Sequence, residues 1–221
     1  MGGRSAAVSE AVPELGGGVL LAIDTSVGTS VALGAGGAVF EAVSDDPRSH
    51  AEAIGPLLDE VFRESGAAPA EVTGVVCGIG PGPFTGLRVG IAAAQAFALA
   101  RGLPLLPLHG HEAVALDVLD RSAVARLRVV QDAKRRELFV TEYDGLDWAG
   151  VPQRVAGPSI VAREGYEPIV NELWPERVPG AGLVRLAARR LASGRGFEPE
   201  RAVYLRAPDV AQPGAPKRVS R

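Results

Sequence analysis

The amino-acid sequence predicts an α/β fold in which helices flank a mixed β-sheet. Short apolar runs of strand length alternate along the chain with longer runs that have helical spacing. One short run, residues 74–80, contains no polar or charged side chain, which is typical of a central parallel strand covered on both faces. The predicted order is β-β-β-α-β-α, followed by a second hairpin and further helices, so a meander followed by α/β units occurs twice.

The N-terminal part of the chain predicts a three-stranded meander preceded by an arm. Residues 1–17 are small, polar and interrupted by glycine, and we expect them to be disordered. The three strands are expected at residues 19–26, 29–34 and 38–44, with a Gly36-Gly37 turn joining the last two.

The first helix is expected between Ser49 and Gly66. Ser49 and Glu52 have the spacing of a capping box, and Gly66 is a typical helix end. Pro56 is expected to kink this helix or displace its start. Its apolar residues form one stripe: Ile54, Leu57, Leu58, Val61 and Phe62.

The second helix, residues 86–101, follows a glycine- and proline-rich loop, with Thr85 as its expected N-cap. Arg88 and Arg101 are the only charged residues between positions 74 and 108. A helix that is apolar nearly all round must be covered on more than one side, which favours burial against a partner. Arg88 in the first turn opposes the helix dipole, so we expect a carboxylate or bound anion near it.

The remaining elements are a strand, a short helix, a hairpin and a last helix. They are expected at residues 103–108, 111–120, 126–133 with 137–144, and 182–194. The last helix should present Leu183, Leu186, Ala187 and Leu191 on one side. The proline-rich segment 145–180 gives no clear element. The expected domains are an N-terminal lobe (18–106), a C-terminal lobe (107–207) whose last segment packs back on the first, and a tail (208–221).

Composition narrows the functional classes. The 221 residues carry a net charge of −3, so the chain has no broad basic field with which to hold nucleic acid unaided. Its single cysteine, Cys77, excludes an intramolecular disulfide framework and indicates a reducing compartment. No signal peptide or membrane helix is evident, so we expect a cytoplasmic protein with no membrane partner.

The turn after the first strand is the first candidate site. An acid at a strand end, followed by hydroxyls and glycine, can offer a carboxylate to a hydrated metal and backbone N–H groups to phosphate. The alternative is a hairpin turn whose polar groups satisfy one another. The candidate nucleotide-binding residues are Asp24, Thr25, Ser26, Gly28 and Thr29.

A metal site is not expected. His109, His111 and Glu112 lie close in sequence, but position 115 is alanine where the zinc-protease motif needs a second histidine. Zinc sites use at least three protein ligands. Cys77 lies in an apolar strand with no neighbouring cation, which indicates an unreactive core thiol.

Four segments together resemble one family. They are LAIDTS at 21–26, the run GIGPGPFTGLRVGIAAAQAFALARGLPLLPL at 78–108, VVQDAKRRELFV at 129–140 and YLRAP at 204–208. They resemble the TsaB family of the actin-like ATPase superfamily, over about residues 19–210. Pro83 stands where that family usually has serine. The resemblance implies a two-lobed actin-like ATPase (ribonuclease H-like) fold, each lobe a mixed sheet with flanking helices.

The resemblance also implies a function. It implies a non-catalytic scaffold subunit that pairs with a catalytic TsaD subunit and works with the ATPase TsaE to form N6-threonylcarbamoyladenosine beside the anticodon of tRNA. ATP and Mg²⁺ would belong to those partners, no cofactor would bind this chain tightly, and tRNA would be reached only through the complex. TsaD holds its metal with a His-x-x-x-His pair, and the matching stretch here, residues 110–114, lacks both histidines.

In that family the helices of the first lobe contact the partner. Here these would be residues 49–65 and 86–101, and a homodimer through the same helices is left open. The expected interface residues are Ile54, Leu57, Leu58, Val61, Thr85, Arg88, Ala93 and Phe97.

Two alternative functions are weighed against the scaffold. A stand-alone ATPase or small-molecule kinase of the actin-like fold would use Asp24 and the turn at Thr29. Lys134, Arg135 and Arg136 oppose it, because they stand where that fold places small residues around a phosphate, and they indicate a solvated turn. A metallopeptidase is disfavoured by the missing histidines.

Overall fold

The computed structural model describes residues 10–46, 49–122 and 124–206. The strands are β1 (Glu10–Ala11), β2 (Leu20–Asp24), β3 (Thr29–Ala35), β4 (Ala38–Ser44), β5 (Gly74–Gly78), β6 (Leu105–Leu108), β7 (Arg126–Lys134), β8 (Glu137–Leu146), β9 (Pro152–Ala162) and β10 (Glu172–Leu173). The α-helices are α1 (His50–Ser65), α2 (Phe84–Arg101), α3 (Gly110–Leu119) and α4 (Gly180–Ala192).

The first sheet has the strand order β1-β4-β3-β2-β5-β6. Strand β5 pairs in parallel with both β2 and β6, and the other pairs are antiparallel. Successive side chains of β2 point to opposite faces, so Leu20 and Ala22 join one core cluster while Leu21 and Ile23 join another. Both faces of this sheet are therefore covered, as the apolar run at 74–80 predicts.

The second sheet has the order β10-β7-β8-β9, with β10 parallel to β7 and the rest antiparallel. Strand β9 lies in the proline-rich segment that gave no clear element from sequence. It is an edge strand whose residues are mostly exposed, so it lacks the alternation of apolar residues that identifies a half-buried strand. An edge position also tolerates proline, here Pro152 and Pro158, because the N–H positions on the open side of an edge strand take no part in the ladder.

The elements form four layers. Helices α1 and α2 cover one face of the first sheet, and α3 and α4 lie between the two sheets. The core cluster around α3 and α4 includes Leu106 of the first sheet and Val129 and Tyr143 of the second. Two mixed sheets with flanking helices confirm the predicted fold class. No helix in the described part of the chain has the length and apolar character needed to cross a membrane.

The expected N-terminal arm is wrong from residue 10 onward. Glu10 and Ala11 pair with β4, and Val12 and Leu15 are buried. Leu15 packs close to Gly34 of β3. The buried side chains of Val12 and Leu15 therefore anchor this segment on the first sheet. Residues 1–9 of the arm and the predicted tail lie outside the described residues.

The two first-lobe helices begin differently from the prediction. Ser49 is the N-cap of α1 but makes no side-chain capping bond, and Pro56 lies inside an uninterrupted helix whose start is not displaced. Helix α2 begins at Phe84 with Pro83 as its N-cap, so Thr85 is not the cap. Gly66 ends α1 as predicted, with φ 70° and its N–H bonded to the Phe62 carbonyl.

The last helix and the segment after it join the two halves of the chain. Leu183, Leu186 and Ala187 of α4 are buried, whereas Leu191, expected on the same side, is half exposed. Beyond the helix, the Val203 N–H donates to the Ile79 carbonyl at 2.9 Å. The end of the described chain thus lies against the loop that precedes α2.

Candidate functional site

The turn that joins β2 to β3 folds inward. Asp24 and Ser26 are at most 3% exposed, and Oδ1 of Asp24 accepts hydrogen bonds from the Ser26 N–H (2.8 Å) and the Ser26 hydroxyl (2.6 Å). Its other oxygen, Oδ2, has no hydrogen-bond partner among the residues that the structure describes. A Cβ on Gly78 would lie 1.9 Å from Oδ2, so the carboxylate occupies space that only glycine leaves open.

Burial changes the chemistry of Asp24. Loss of solvation raises the pKa of this carboxyl to about 6, against the lowering by its hydrogen bonds with Ser26. Within the described chain no group of three or more His, Cys, Asp or Glu side chains is placed to hold a metal ion.

Thr25 fastens the turn to α2. Its hydroxyl donates to the Gly86 carbonyl at 2.6 Å and accepts from the Gly90 N–H at 2.8 Å. A Cβ on Gly90 would lie 2.4 Å from the Thr25 hydroxyl, so the close approach depends on glycine. Thr25 was singled out as a nucleotide ligand, whereas the structure uses its hydroxyl to position a helix.

The remaining turn residues also bond within the protein. The Thr29 hydroxyl is hydrogen-bonded to Nδ1 of His50 at 2.8 Å, and burial lowers the pKa of that histidine. Gly28 has φ 66°, which favours glycine. All five residues predicted for the site therefore lie together, and the four side chains among them are buried.

A cavity of about 670 Å³ lies between the turn, the starts of α1 and α2, and β7. Its charged lining residues are Glu52, Asp132 and Lys134. Lys134 Nζ is already paired with Asp132 Oδ2 at 3.3 Å. The cavity has the size of a small-molecule site, but its carboxylates outnumber its cations, which disfavours a polyphosphate.

The two histidines near α3 are core residues. Nδ1 of His111 is hydrogen-bonded to the Thr141 hydroxyl and Nε2 to the Gln131 carbonyl oxygen, at 2.8 and 3.0 Å. Burial lowers the pKa of His111 to about 4, so its ring is neutral.

The buried thiol of Cys77 has a pKa raised to about 12 by loss of solvation, which confirms it as unreactive.

The turn between β7 and β8 is the opposite case, because its side chains face solvent. Lys134, Arg135 and Arg136 are all exposed, and all three have positive φ, at 62°, 54° and 62°. Lys134 pairs with Glu137, so Arg135 and Arg136 form a two-residue loop. Such a loop needs positive φ at both positions and is normally filled by Asn-Gly.

A second cavity, of about 350 Å³, opens beside this turn. Its charged lining residues are Lys134, Arg135 and Arg206, and its aromatic ones are Phe84, Phe139 and Tyr204. Arg206 is paired with Glu137 and donates toward the backbone carbonyls of residues 133 and 134.

Arg88 has aromatic partners instead of the carboxylate or anion that its position in α2 predicts. Its guanidinium lies 3.6 Å from the centre of the Phe84 ring, and Nε donates to the Tyr204 hydroxyl at 3.0 Å. The helix dipole disfavours a cation in the first turn, and the negative electrostatic potential of the ring faces offsets this by stabilising the guanidinium.

The expected interface residues fall into two groups. Ile54, Leu57 and Val61 are buried against the first sheet, so these three cannot contact a partner, because the stripe they form is the core-facing side of α1. Thr85 and Arg88 are exposed, and Leu58, Ala93 and Phe97 are half-buried. Phe97 stacks on Phe62 with ring centres 6.4 Å apart, which holds α1 and α2 together.

Sequence reasoning missed the outward face of α2. Ala92, Ala96, Leu99 and Ala100 are exposed, and Leu99 is 85% exposed. An apolar helix was recognised from sequence, but which of its faces remained open depended on the sheet beneath it. Exposed apolar patches mark interaction sites.

Comparison with known proteins defines the class. The model of the TsaD family, described as tRNA N6-adenosine threonylcarbamoyltransferase, matches residues 25–160. A Pseudomonas aeruginosa structure described as similar to peptidase YeaZ superposes with a TM-score of 0.76 and 26% identity over 86% of this chain and all of that one. The structure of YeaZ from the same organism superposes with a TM-score of 0.74 and 25% identity, over 85% of this chain and all of that one. The protein is thus a TsaD-like member of the actin-like ATPase fold.

Curated relatives narrow the class further. The Escherichia coli tRNA threonylcarbamoyladenosine biosynthesis protein TsaB is 30% identical over 75% of this chain and 77% of its own length. An uncharacterized protein of Mycobacterium tuberculosis is 35% identical over 58% of this chain. The match to that mycobacterial protein spans 56% of its length. The chain belongs to the TsaB family.

Proposed function

We propose that this chain is a non-catalytic subunit in the formation of N6-threonylcarbamoyladenosine on tRNA, and that it pairs with a TsaD-like catalytic subunit. The relative from Escherichia coli is named for this biosynthesis. The observation that carries the proposal is the exposed apolar face of α2, which has the composition of a surface that a partner covers.

The α2 face suits close helix packing. Three of its exposed residues are alanine, so a partner helix can approach the backbone closely, and Leu99 supplies a larger apolar side chain for burial. The stacked rings of Phe62 and Phe97 fix α1 beside α2, so the face is presented in one geometry. The half-buried Leu58 and Ala93 complete the apolar surface at its border with α1.

A supporting role, with catalysis in the partner, agrees with the cleft. Asp24 is buried and bonded to Ser26, and the charged residues that line the neighbouring cavity are two carboxylates and one lysine. We therefore place ATP and Mg²⁺ in the TsaD-like and TsaE-like partners, and the complex in the cytoplasm. The 670 Å³ cavity is the feature that favours the alternative, a stand-alone nucleotide-binding enzyme. Titration calorimetry with ATP–Mg²⁺ separates the two, because tight binding with turnover by this chain alone would contradict the proposal.

The pairing is tested by a charge on the α2 face. Leu99→Asp should abolish the complex with the TsaD-like subunit of the same cell, because an aspartate would be buried without a partner in the interface. Size-exclusion chromatography with light scattering measures the complex. Val170→Asp is the matched control, because Val170 is 99% exposed on the other lobe.

Both variants alter exposed residues, so both should keep the wild-type circular dichroism spectrum and unfolding temperature. A complex that still forms with Leu99→Asp, or is lost equally with Val170→Asp, would show that α2 is not the contact.

A further inference from the structure

We propose that the surface around the β7–β8 turn binds single-stranded RNA, with unpaired bases stacked on exposed aromatic rings and phosphates held by the turn cations. This basic–aromatic surface consists of Lys134, Arg135, Arg136, Phe84, Trp174 and Tyr204. The identity of the RNA as the unpaired loop of a tRNA rests on the proposed function. The surface itself rests on contacts within this chain.

The backbone of the turn is the first observation. Arg135 and Arg136 occupy the two loop positions at φ 54° and 62°, where asparagine and glycine fit with less strain. Lys134 adds a third positive φ at the neighbouring irregularity in β7. Strained backbone of this kind persists where the side chains serve a function, and here each of the three strained positions carries a cation.

The aromatic rings are the second observation. Phe84, Tyr204 and Trp174 are 39%, 42% and 45% exposed. Each carries an arginine near its ring: Arg88 lies against Phe84 and Tyr204, and Arg163 lies 5.7 Å from the centre of Trp174. Exposed rings interleaved with guanidinium groups are the means by which proteins stack and hold unpaired nucleotides.

Contacts link the two sides of the surface. Arg163 connects Trp174 to the turn. Its guanidinium lies near the Trp174 ring and is 3.2 Å from Oδ1 of Asp132, and its backbone N–H donates to the Arg136 carbonyl. On the other side, Lys134 and Arg135 share the 350 Å³ cavity with Phe84 and Tyr204. The cations therefore lie between two aromatic platforms.

The local charge differs in sign from that of the whole chain. Within the part of the surface that the structure describes, the cations are Arg88, Lys134, Arg135, Arg136, Arg163 and Arg206. Asp132 pairs with Lys134 and Arg163, and Glu137 pairs with Arg206. Glu172, which accepts a hydrogen bond from the Trp174 indole N–H at 2.6 Å, is a third carboxylate beside this surface. The cations outnumber these three carboxylates, and no carboxylate is among the described residues that line the smaller cavity. An acidic protein would match the charge but would leave the three rings unexplained, so RNA fits better.

The test uses the full chain and a fluorescently labelled anticodon stem-loop. Fluorescence anisotropy gives the affinity between about 50 and about 200 mM salt, where phosphate contacts appear as the slope of log affinity against log salt. The turn variant, Arg135→Asn with Arg136→Gly, removes two cations and installs the residues that the loop geometry favours. It should bind roughly tenfold more weakly, with a slope shallower by about 1.4, since each lost phosphate contact on a single strand contributes about 0.7.

The turn variant should also unfold at a higher temperature, because the loop strain is relieved. A purely structural role for the arginines would lower both binding and stability. Opposite changes in binding and unfolding temperature therefore identify an RNA-binding role.

The aromatic platform is tested separately. Trp174→Ala should weaken RNA binding by at least about fivefold with an unchanged salt slope. Trp148→Ala is the matched control, because Trp148 is also exposed and has Arg195 at 5.7 Å from its ring, outside the surface. Equal effects of the two tryptophan variants would overturn the stacking role.

Failure of this inference is distinguishable from failure of the proposed function. The turn variant should still pair with the TsaD-like subunit through α2. If the wild-type chain binds no RNA, or if the turn variant binds RNA normally but no longer binds the TsaE-like ATPase, the surface is not an RNA site. If instead the wild-type chain binds RNA as described but pairs with no TsaD-like subunit, the proposed function fails and the RNA surface stands.

Discussion

The turn between β2 and β3 and the turn between β7 and β8 occupy comparable places, each joining two antiparallel strands at the cleft between the sheets. The first has buried polar groups: Asp24 bonds to Ser26 within the turn, and Thr25 and Thr29 bond to α2 and α1. The second turns three cations outward on strained backbone. Here one has become part of the core and the other part of the surface.

The difference shows that the elements around a turn, more than its residue types, decide whether its side chains are buried or exposed. Around the first turn lie Gly78, Gly86 and Gly90, which leave room for buried side chains. The long side chains of the second turn are not enclosed in this way, because residues 134–136 are all exposed. A hydroxyl- and glycine-rich motif therefore indicates a phosphate site only where the neighbouring elements leave it accessible to a ligand.

Closing the space around the first turn should give the largest effect. Gly78→Ala would place a Cβ 1.9 Å from Asp24 Oδ2 and 2.7 Å from its Cγ, so the carboxylate must move or the strands must shift. We expect the free energy of unfolding to fall by more than about 3 kcal/mol, measured by chemical denaturation. Gly55→Ala, at an exposed helical position with open space around it, should be neutral or stabilising. Equal stability of the two variants would contradict this account of the turn.

Removing the buried charge should change how stability depends on pH. The pKa of Asp24 is about 6 in the fold against 3.8 in the unfolded chain, so the folded state retains a proton that the unfolded state has lost. Stability therefore falls as pH rises from about 4 to about 6, by roughly 3 kcal/mol for this group. Asp24→Asn should lack that fall. The titration of His111, whose pKa is about 4, should contribute equally to the stability of both proteins. Parallel pH profiles of unfolding free energy would show that Asp24 is not buried as described.

Relieving the second turn should give the smallest effect, and one of opposite sign. Arg135→Asn with Arg136→Gly should raise the free energy of unfolding by about 1–2 kcal/mol, because left-handed backbone costs arginine more than these residues. The control Arg135→Gln with Arg136→Gln removes the same charge but keeps the strain, and should leave stability nearly unchanged. If the control stabilises as much, repulsion between the cations explains the effect and strain does not.

The fold could be predicted from sequence because its main strands carry local signals. The apolar run around Cys77 and the Gly36-Gly37 turn each identify their element without knowledge of the rest. Strand β9 could not be predicted, because an exposed edge strand interrupted by proline lacks the alternation that marks a strand.

The candidate site was predicted only in part. The sequence brings Asp24, Thr25 and Thr29 into one turn. The direction of the Thr25 and Thr29 side chains, however, depends on Gly86, Gly90 and His50, which are distant in sequence. In the same way, the apolar stripe of α1 was identified, but the sheet beneath it made Ile54 and Leu57 core residues and not partner contacts. Long-range packing decides which face of an element stays open.

The layer of α3 and α4 sets how this chain can be divided. Helix α4 follows the second sheet in sequence, yet Val184 packs against Gly34 of the first, while Val129 and Tyr143 of the second sheet complete the same cluster. A fragment ending near residue 106 would lose the cover that α4 provides on one face of the first sheet. The complementary fragment would carry α4 without that sheet, although α3 would still pack on the second sheet. The two lobes thus depend on each other through α4, and we expect each fragment alone to be less stable than the whole chain.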